Sequence, residues 1–144
     1  MTNFSDLTQE QKNVLIAEAL FAARIEPPTD GFPYWSLWYG EERRHHWDMR
    51  DVDHKVPTFE DVERWRYIEN FYKNRTALHE AILKLDDEQT ERFCRHLWGL
   101  ANNEDVGPND EIYIDCAGMV GFVRASTPQL ADAVVMVLLE KGKV

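Results

Sequence analysis

The feature that most constrains this chain is the proline pair at Pro27 and Pro28. Proline lacks the backbone N–H that a helix needs and clashes with the turn before it, so the chain must change structural type there. Upstream, Thr8 and Gln11 make a capping-box pattern, and Val14, Leu15, Ala17, Leu20 and Phe21 supply an apolar stripe. Together they predict a first helix running up to the prolines. Downstream, "PPTDG" reads as a turn and "FPYWSLWYG" as an aromatic strand closed by Gly40. "RHHWDMRDV" is expected to pair with it as a second strand, with Trp47 and Met49 on one face.

Helical spacing then takes over. Thr58 is expected to start a helix carrying Phe59, Val62, Trp65, Ile68, Phe71 and Tyr72, and Leu78, Ile82 and Leu85 continue the pattern. The stretch is one long helix, or two with a break near Asn74. Asp86 or Asp87 suits the cap of a further helix carrying Phe93, Leu97, Trp98 and Leu100. "EIYIDC" alternates as a strand, and "AGMVGFV" reads as its extension. Thr127 as N-cap, with Pro128 at the first helical position, predicts a last helix that stops at Gly142. The order α, β, β, α, α, β, α gives an α+β class. It is a single layered domain over 1–144, with a small, mostly antiparallel sheet of about three strands covered by four or five helices.

Charge narrows the choice of partners. The chain of 144 residues carries 26 acidic and 16 basic side chains, a formal net charge of -10. Nucleic acid phosphates and anionic membranes repel such a surface, so neither is an expected direct partner. Nine acids fall within 86–115 (Asp86, Asp87, Glu88, Glu91, Glu104, Asp105, Asp110, Glu111 and Asp115) against Arg92 and Arg95, a local net of -7. Helix capping and solubility account for some of them. An acidic surface that docks on a Lys/Arg-rich groove is the more specific expectation, because complementary charge speeds encounter and fixes register. The aromatic strand offers a second protein-binding surface at Trp35 and Trp38, which would also allow a homodimer.

Signals for chemistry are weak. "ERRHHWDMRDVDHK", 42–55, is rich in His and Asp, and His46, Asp48, Asp51 and His54 are the residues a metal-dependent hydrolase or nuclease would use. No ligand spacing is met, since His79-Glu80 lacks the second His of an HExxH pair. Arg43, Arg44 and Arg50 supply local ion partners instead. The two cysteines, Cys94 and Cys116, read as buried structural thiols in a reducing compartment. No nucleophile elbow, phosphate loop or dinucleotide fingerprint occurs among the seven glycines. No cofactor and no catalytic residue is therefore expected, and with neither a signal-peptide pattern nor a long apolar run the chain reads as cytoplasmic.

Three segments carry a resemblance: "LIAEALFAARIE", "NRTALHEAILKLDDEQTERFCRHL" and "ASTPQLADAVVMVLLEKGK". In this order they resemble the phage alpha-beta-alpha sandwich domain of small orphan proteins from tailed bacteriophages. Leu78, His79, Glu80 and Ala81 match the middle motif of that family, and Thr127, Pro128, Gln129 and Ala131 match the last. The resemblance implies a phage origin and a layered fold, with no catalytic residues to carry over. With the charge, it implies a non-enzymatic accessory protein that binds and inhibits a host defence complex, such as a CRISPR effector, at a basic surface. A virion assembly factor is the other non-enzymatic expectation.

Overall fold

The computed structural model describes residues 3–26, 31, 35–47, 68–107 and 110–140. Among them it has a three-stranded antiparallel sheet and five α-helices, an α+β architecture as expected. The chain gathers into two compact units, Thr8–Glu69 and Met1–Leu7 with Asn70–Val144.

In the unit Thr8–Glu69, helix α1 spans Gln9–Phe21 and opens on the expected capping box. Thr8 Oγ1 accepts the Gln11 N–H at 3.2 Å, and Gln11 Oε1 accepts the Thr8 N–H at 2.9 Å. The helix does not reach the prolines. Ala22 adopts the left-handed conformation at φ 52°, its N–H reaches back to the Ala17 carbonyl, and the chain turns into strand β1, Ala23–Glu26. That strand has no signal of its own in the sequence. It exists because Ala23, Arg24, Ile25 and Glu26 pair antiparallel with β2, Trp35–Tyr39. β2 in turn pairs with β3, Glu42–Trp47, with an irregularity between Leu37 and Trp38.

Gly40, at φ 60°, takes the first place of the two-residue turn between β2 and β3, where a residue with a Cβ would be strained. Ala23, Ile25 and Leu37 are buried on one face of the sheet, and the helix α1 packs against β1. Met49, the other half of the expected β3 face, lies outside the described residues, as do Phe59, Val62 and Trp65 of the helix expected from Thr58.

The second unit is helical. The chain around Phe71 and Tyr72 is a buried turn, not a helix, closed by the Asn74 N–H on the Asn70 carbonyl at 2.9 Å. Asn74 then caps α2, Arg75–Leu83, so a helix begins there, as in the second of the two alternatives. Helix α3 spans Asp87–Asn102, α4 Cys116–Val123 and α5 Thr127–Glu140. Ala131, Val134, Val135 and Leu138 recur at helical spacing in α5, and Ala133 and Val137 widen the buried stripe. So α5 is the centre of this unit, packed against both α2 and α3. Each fully buried valine there contributes about 1.5–3 kcal/mol relative to exposure.

Two expectations are corrected here. The cap of α5 is Ser126, not Thr127: Ser126 Oγ accepts the Gln129 N–H at 3.2 Å and Gln129 Oε1 accepts the Ser126 N–H at 3.0 Å. And "EIYIDC" with "AGMVGFV" is no strand: the second half is α4, capped by Asp115, whose Oδ1 accepts the Gly118 N–H at 2.7 Å. Gly142 lies outside the described residues.

Candidate protein-binding site

The acid-rich stretch 86–115 begins as helix chemistry. Asp86 Oδ1 accepts the Gln89 N–H at 2.8 Å, and Gln89 Oε1 accepts the Asp86 N–H at 3.0 Å, a full capping box. Asp87 and Glu88 occupy the first turn, where the helix dipole favours negative charge. Glu88 pairs with Arg92, and Glu91 lies 3.8 Å from Arg95. These are exposed pairs worth about 0–1 kcal/mol each. Glu104 and Asp105 follow the other end of α3, about 24 Å away at 1.5 Å per residue. The nine acids thus fall at the two ends of α3 and in the segment leading to α4, not at one focus.

The loop after α3 is tied back to it. The Arg95 guanidinium donates to the Asp110 carbonyl, and the Asp110 carboxylate accepts the Gly107 N–H at 2.7 Å. Glu111 and Asp115 then bracket Ile112, Tyr113 and Ile114. Glu104 and Asp105 line a separate shallow hollow with Arg95, His96 and Asn103.

How α4 sits on α3 decides the character of this surface. A Cβ on Gly118 would lie 2.3 Å from Trp98 Cζ2, and one on Gly121 would lie 2.4 Å from Asn102 Oδ1. Three residues apart, the two glycines share a face of α4, and that face lies on α3. Asn102 Nδ2 holds it there, donating to the Gly118 carbonyl at 3.1 Å and the Trp98 carbonyl at 3.2 Å. The Trp98 and Phe122 rings stack obliquely with centroids 5.9 Å apart.

With the glycines turned inward, the large side chains turn out. Met119, Val120 and Val123 are exposed, Val123 at 72%, and beside them Tyr113 is 84% and Ile114 68% exposed. These five side chains give the unit an exposed apolar surface. A cleft of about 430 Å³ opens beside it, walled by Cys94, Trp98, Ile112, Ile114, Met119 and Phe122, with Glu91 and Arg95 at its margin. Trp98 is buried, and its indole Nε1–H has no hydrogen-bond partner among the described residues. An unpaired buried donor costs about 1–3 kcal/mol.

Both cysteines are exposed, against the expectation of buried thiols. Cys94 faces the cleft, and the apolar wall there holds its thiol above the ordinary range by desolvation.

This apolar face is hidden in the sequence because the strand-like alternation of 111–116 makes α4 read as its extension. The signals were present: Asp115 before an eight-residue run with no charged side chain, and Gly118 and Gly121 spaced three apart.

The remaining candidates lie in the other unit. Trp38, in β2, is half-buried, with the Arg24 guanidinium 5.4 Å and the Arg43 guanidinium 4.8 Å from its ring. Arg24 is itself paired with Glu26 at 2.7 Å. Trp35 stands opposite Trp47 in the ladder, and its side chain lies outside the described residues. His46 stands opposite Ser36, while its side chain and Asp48, Asp51 and His54 also lie outside them. Among the described residues no three His, Cys, Asp or Glu side chains gather as a metal site, and no single helix is long and apolar enough to cross a membrane.

No family model matches the chain, and comparison with curated proteins and with solved structures returns no match.

Proposed function

We propose that this is a non-enzymatic binding protein that docks on a basic protein surface through the apolar face of α4 and residues 112–114, steered by the acids along α3. The observation that carries this reading is the orientation of α4, which buries its glycines and presents Met119, Val120 and Val123 to solvent beside Tyr113 and Ile114. An apolar centre with a charged margin is how protein interfaces are organised. The acids of 86–115 select a cationic partner and disfavour a second copy of the same face.

Under the phage resemblance, the partner is a host complex whose basic groove normally holds nucleic acid, and occupying that groove inhibits it. A CRISPR effector is one complex of that kind.

The test is a photo-crosslinking amino acid placed at Val123, with a control at exposed Lys73, in bacterial lysate. The expected result is one dominant adduct from Val123, absent from Lys73, that weakens as salt is raised. The same adducts from both positions, or none that salt weakens, would remove the proposal.

A further inference from the structure

The sequence of 111–114, Glu-Ile-Tyr-Ile, alternates like a strand, yet the structure pairs it with nothing. None of the backbone N–H or C=O groups of these four residues makes a hydrogen bond among the described residues. The stretch is nevertheless held at both ends. Arg95 grips the Asp110 carbonyl before it, and after it Asp115 is fixed as the cap of α4. Its side chains supply what a partner strand would contact: Ile112 half-buried in the cleft wall, Tyr113 and Ile114 in the open.

We infer that residues 111–114 are a receiving strand, and that the partner enters as an extended segment alternating apolar with Lys or Arg side chains. The inference rests on the docking reading above and names its binding mode. Three features support that occupant over others. Backbone groups left unpaired on a held segment can template the addition of a strand, and the pinned ends spare the segment most of its ordering cost. Asp110, Glu111 and Asp115 flank the apolar residues, so basic side chains on the incoming strand find carboxylates at the strand ends. A second copy would set those carboxylates against their own kind, and an anionic lipid surface would meet the same repulsion.

A strand turns its backbone groups to alternate sides, so one added strand engages every second residue. That period is the signature to measure. The full chain, labelled with ¹⁵N, is titrated with a synthetic peptide alternating Lys with Val or Ile, and with a control peptide carrying Glu for Lys. Amide exchange is expected to slow about tenfold or more at Glu111 and Tyr113, or at Ile112 and Ile114, but not at both pairs. The Glu peptide is expected to leave all four unchanged.

Shifts at Met119 and Val123 without alternate protection would sink the strand pairing and leave the docking surface standing. No shift anywhere with the Lys peptide would sink both. Protection that rises with protein concentration alone would assign the segment to a second copy, and protection by phosphatidylcholine vesicles would assign it to lipid. Either result overturns the inference.

Discussion

The packing of α4 on Trp98 can be tested with one methyl group. In Gly118→Ala the new Cβ would lie 2.3 Å from Trp98 Cζ2 and 2.6 Å from Cη2, where carbon atoms prefer about 3.5–4.0 Å. The ring cannot swing aside, because Trp98 is buried between α3 and α4, so α4 itself must lift. Overpacking of this kind costs about 1–3 kcal/mol. Replacing a helical glycine by alanine returns about 1 kcal/mol in propensity. The clash is at the severe end of its range, which leaves a net loss of about 1–2 kcal/mol. For a chain of this length that lowers Tm by about 3–6 °C.

Thermal and urea unfolding, followed by tryptophan fluorescence, measure it. Val120→Ala on the exposed face is the control and should stay within about 0.5 kcal/mol of the parent. A Gly118→Ala protein as stable as the parent, or more so, would refute the reasoning. α4 would then not rest on Trp98 through its glycines, and nothing would oblige Met119, Val120 and Val123 to face outward.

Three further outcomes follow from local geometry. Ala22 holds a left-handed conformation that costs a residue with a Cβ about 1 kcal/mol, while glycine's freedom in the unfolded chain takes back part of the gain. Ala22→Gly should therefore raise unfolding free energy by about 0.5 kcal/mol, measured in urea; a clear loss would mean that α1 does not end there. If Ser126 is the cap of α5, Ser126→Ala should cost about 1 kcal/mol and Thr127→Ala distinctly less, and the reverse order would restore Thr127 as the cap. Cys94 has its pKa raised by desolvation, so its reactive thiolate is scarce at neutral pH and accumulates only above the ordinary thiol range. Its iodoacetamide labelling, read by peptide mass spectrometry, should keep rising past that range; a rate that levels off near pH 7 would contradict the assigned environment.

What could be read from the sequence was what neighbouring residues decide among themselves. Thr8 with Gln11 is a closed local circuit that opens the helix its pattern predicts, and of the two caps the sequence offers for α3, Asp86 and Asp87, the first closes a like circuit with Gln89. The α5 stripe is legible for the same reason, since burial at helical spacing needs no knowledge of the neighbour. β1 was not legible, because Ala23–Glu26 becomes a strand only when Trp35–Tyr39 lies beside it. Residues 111–114 show the converse: a strand pattern is present, but no described strand pairs with it. α4 escaped because an eight-residue run that is apolar all round has no polar face to reveal a period.

The charge count marks 86–115 as acid-rich but says nothing of its arrangement. Asp86 is occupied in capping and Glu88 in an ion pair, while the apolar residues that give the flank its centre came from a segment assigned to the sheet.

The most direct measurement concerns Val123. With the partner captured through that position in hand, its affinity is titrated for the parent and for Val123→Asp at low and at moderate salt. Loss of a buried valine at an interface removes about 1.5 kcal/mol or more, so the variant should bind about tenfold more weakly or worse. The parent's own affinity should fall as salt rises. Equal affinity for the two proteins, or binding indifferent to salt, would contradict an apolar surface steered by acids.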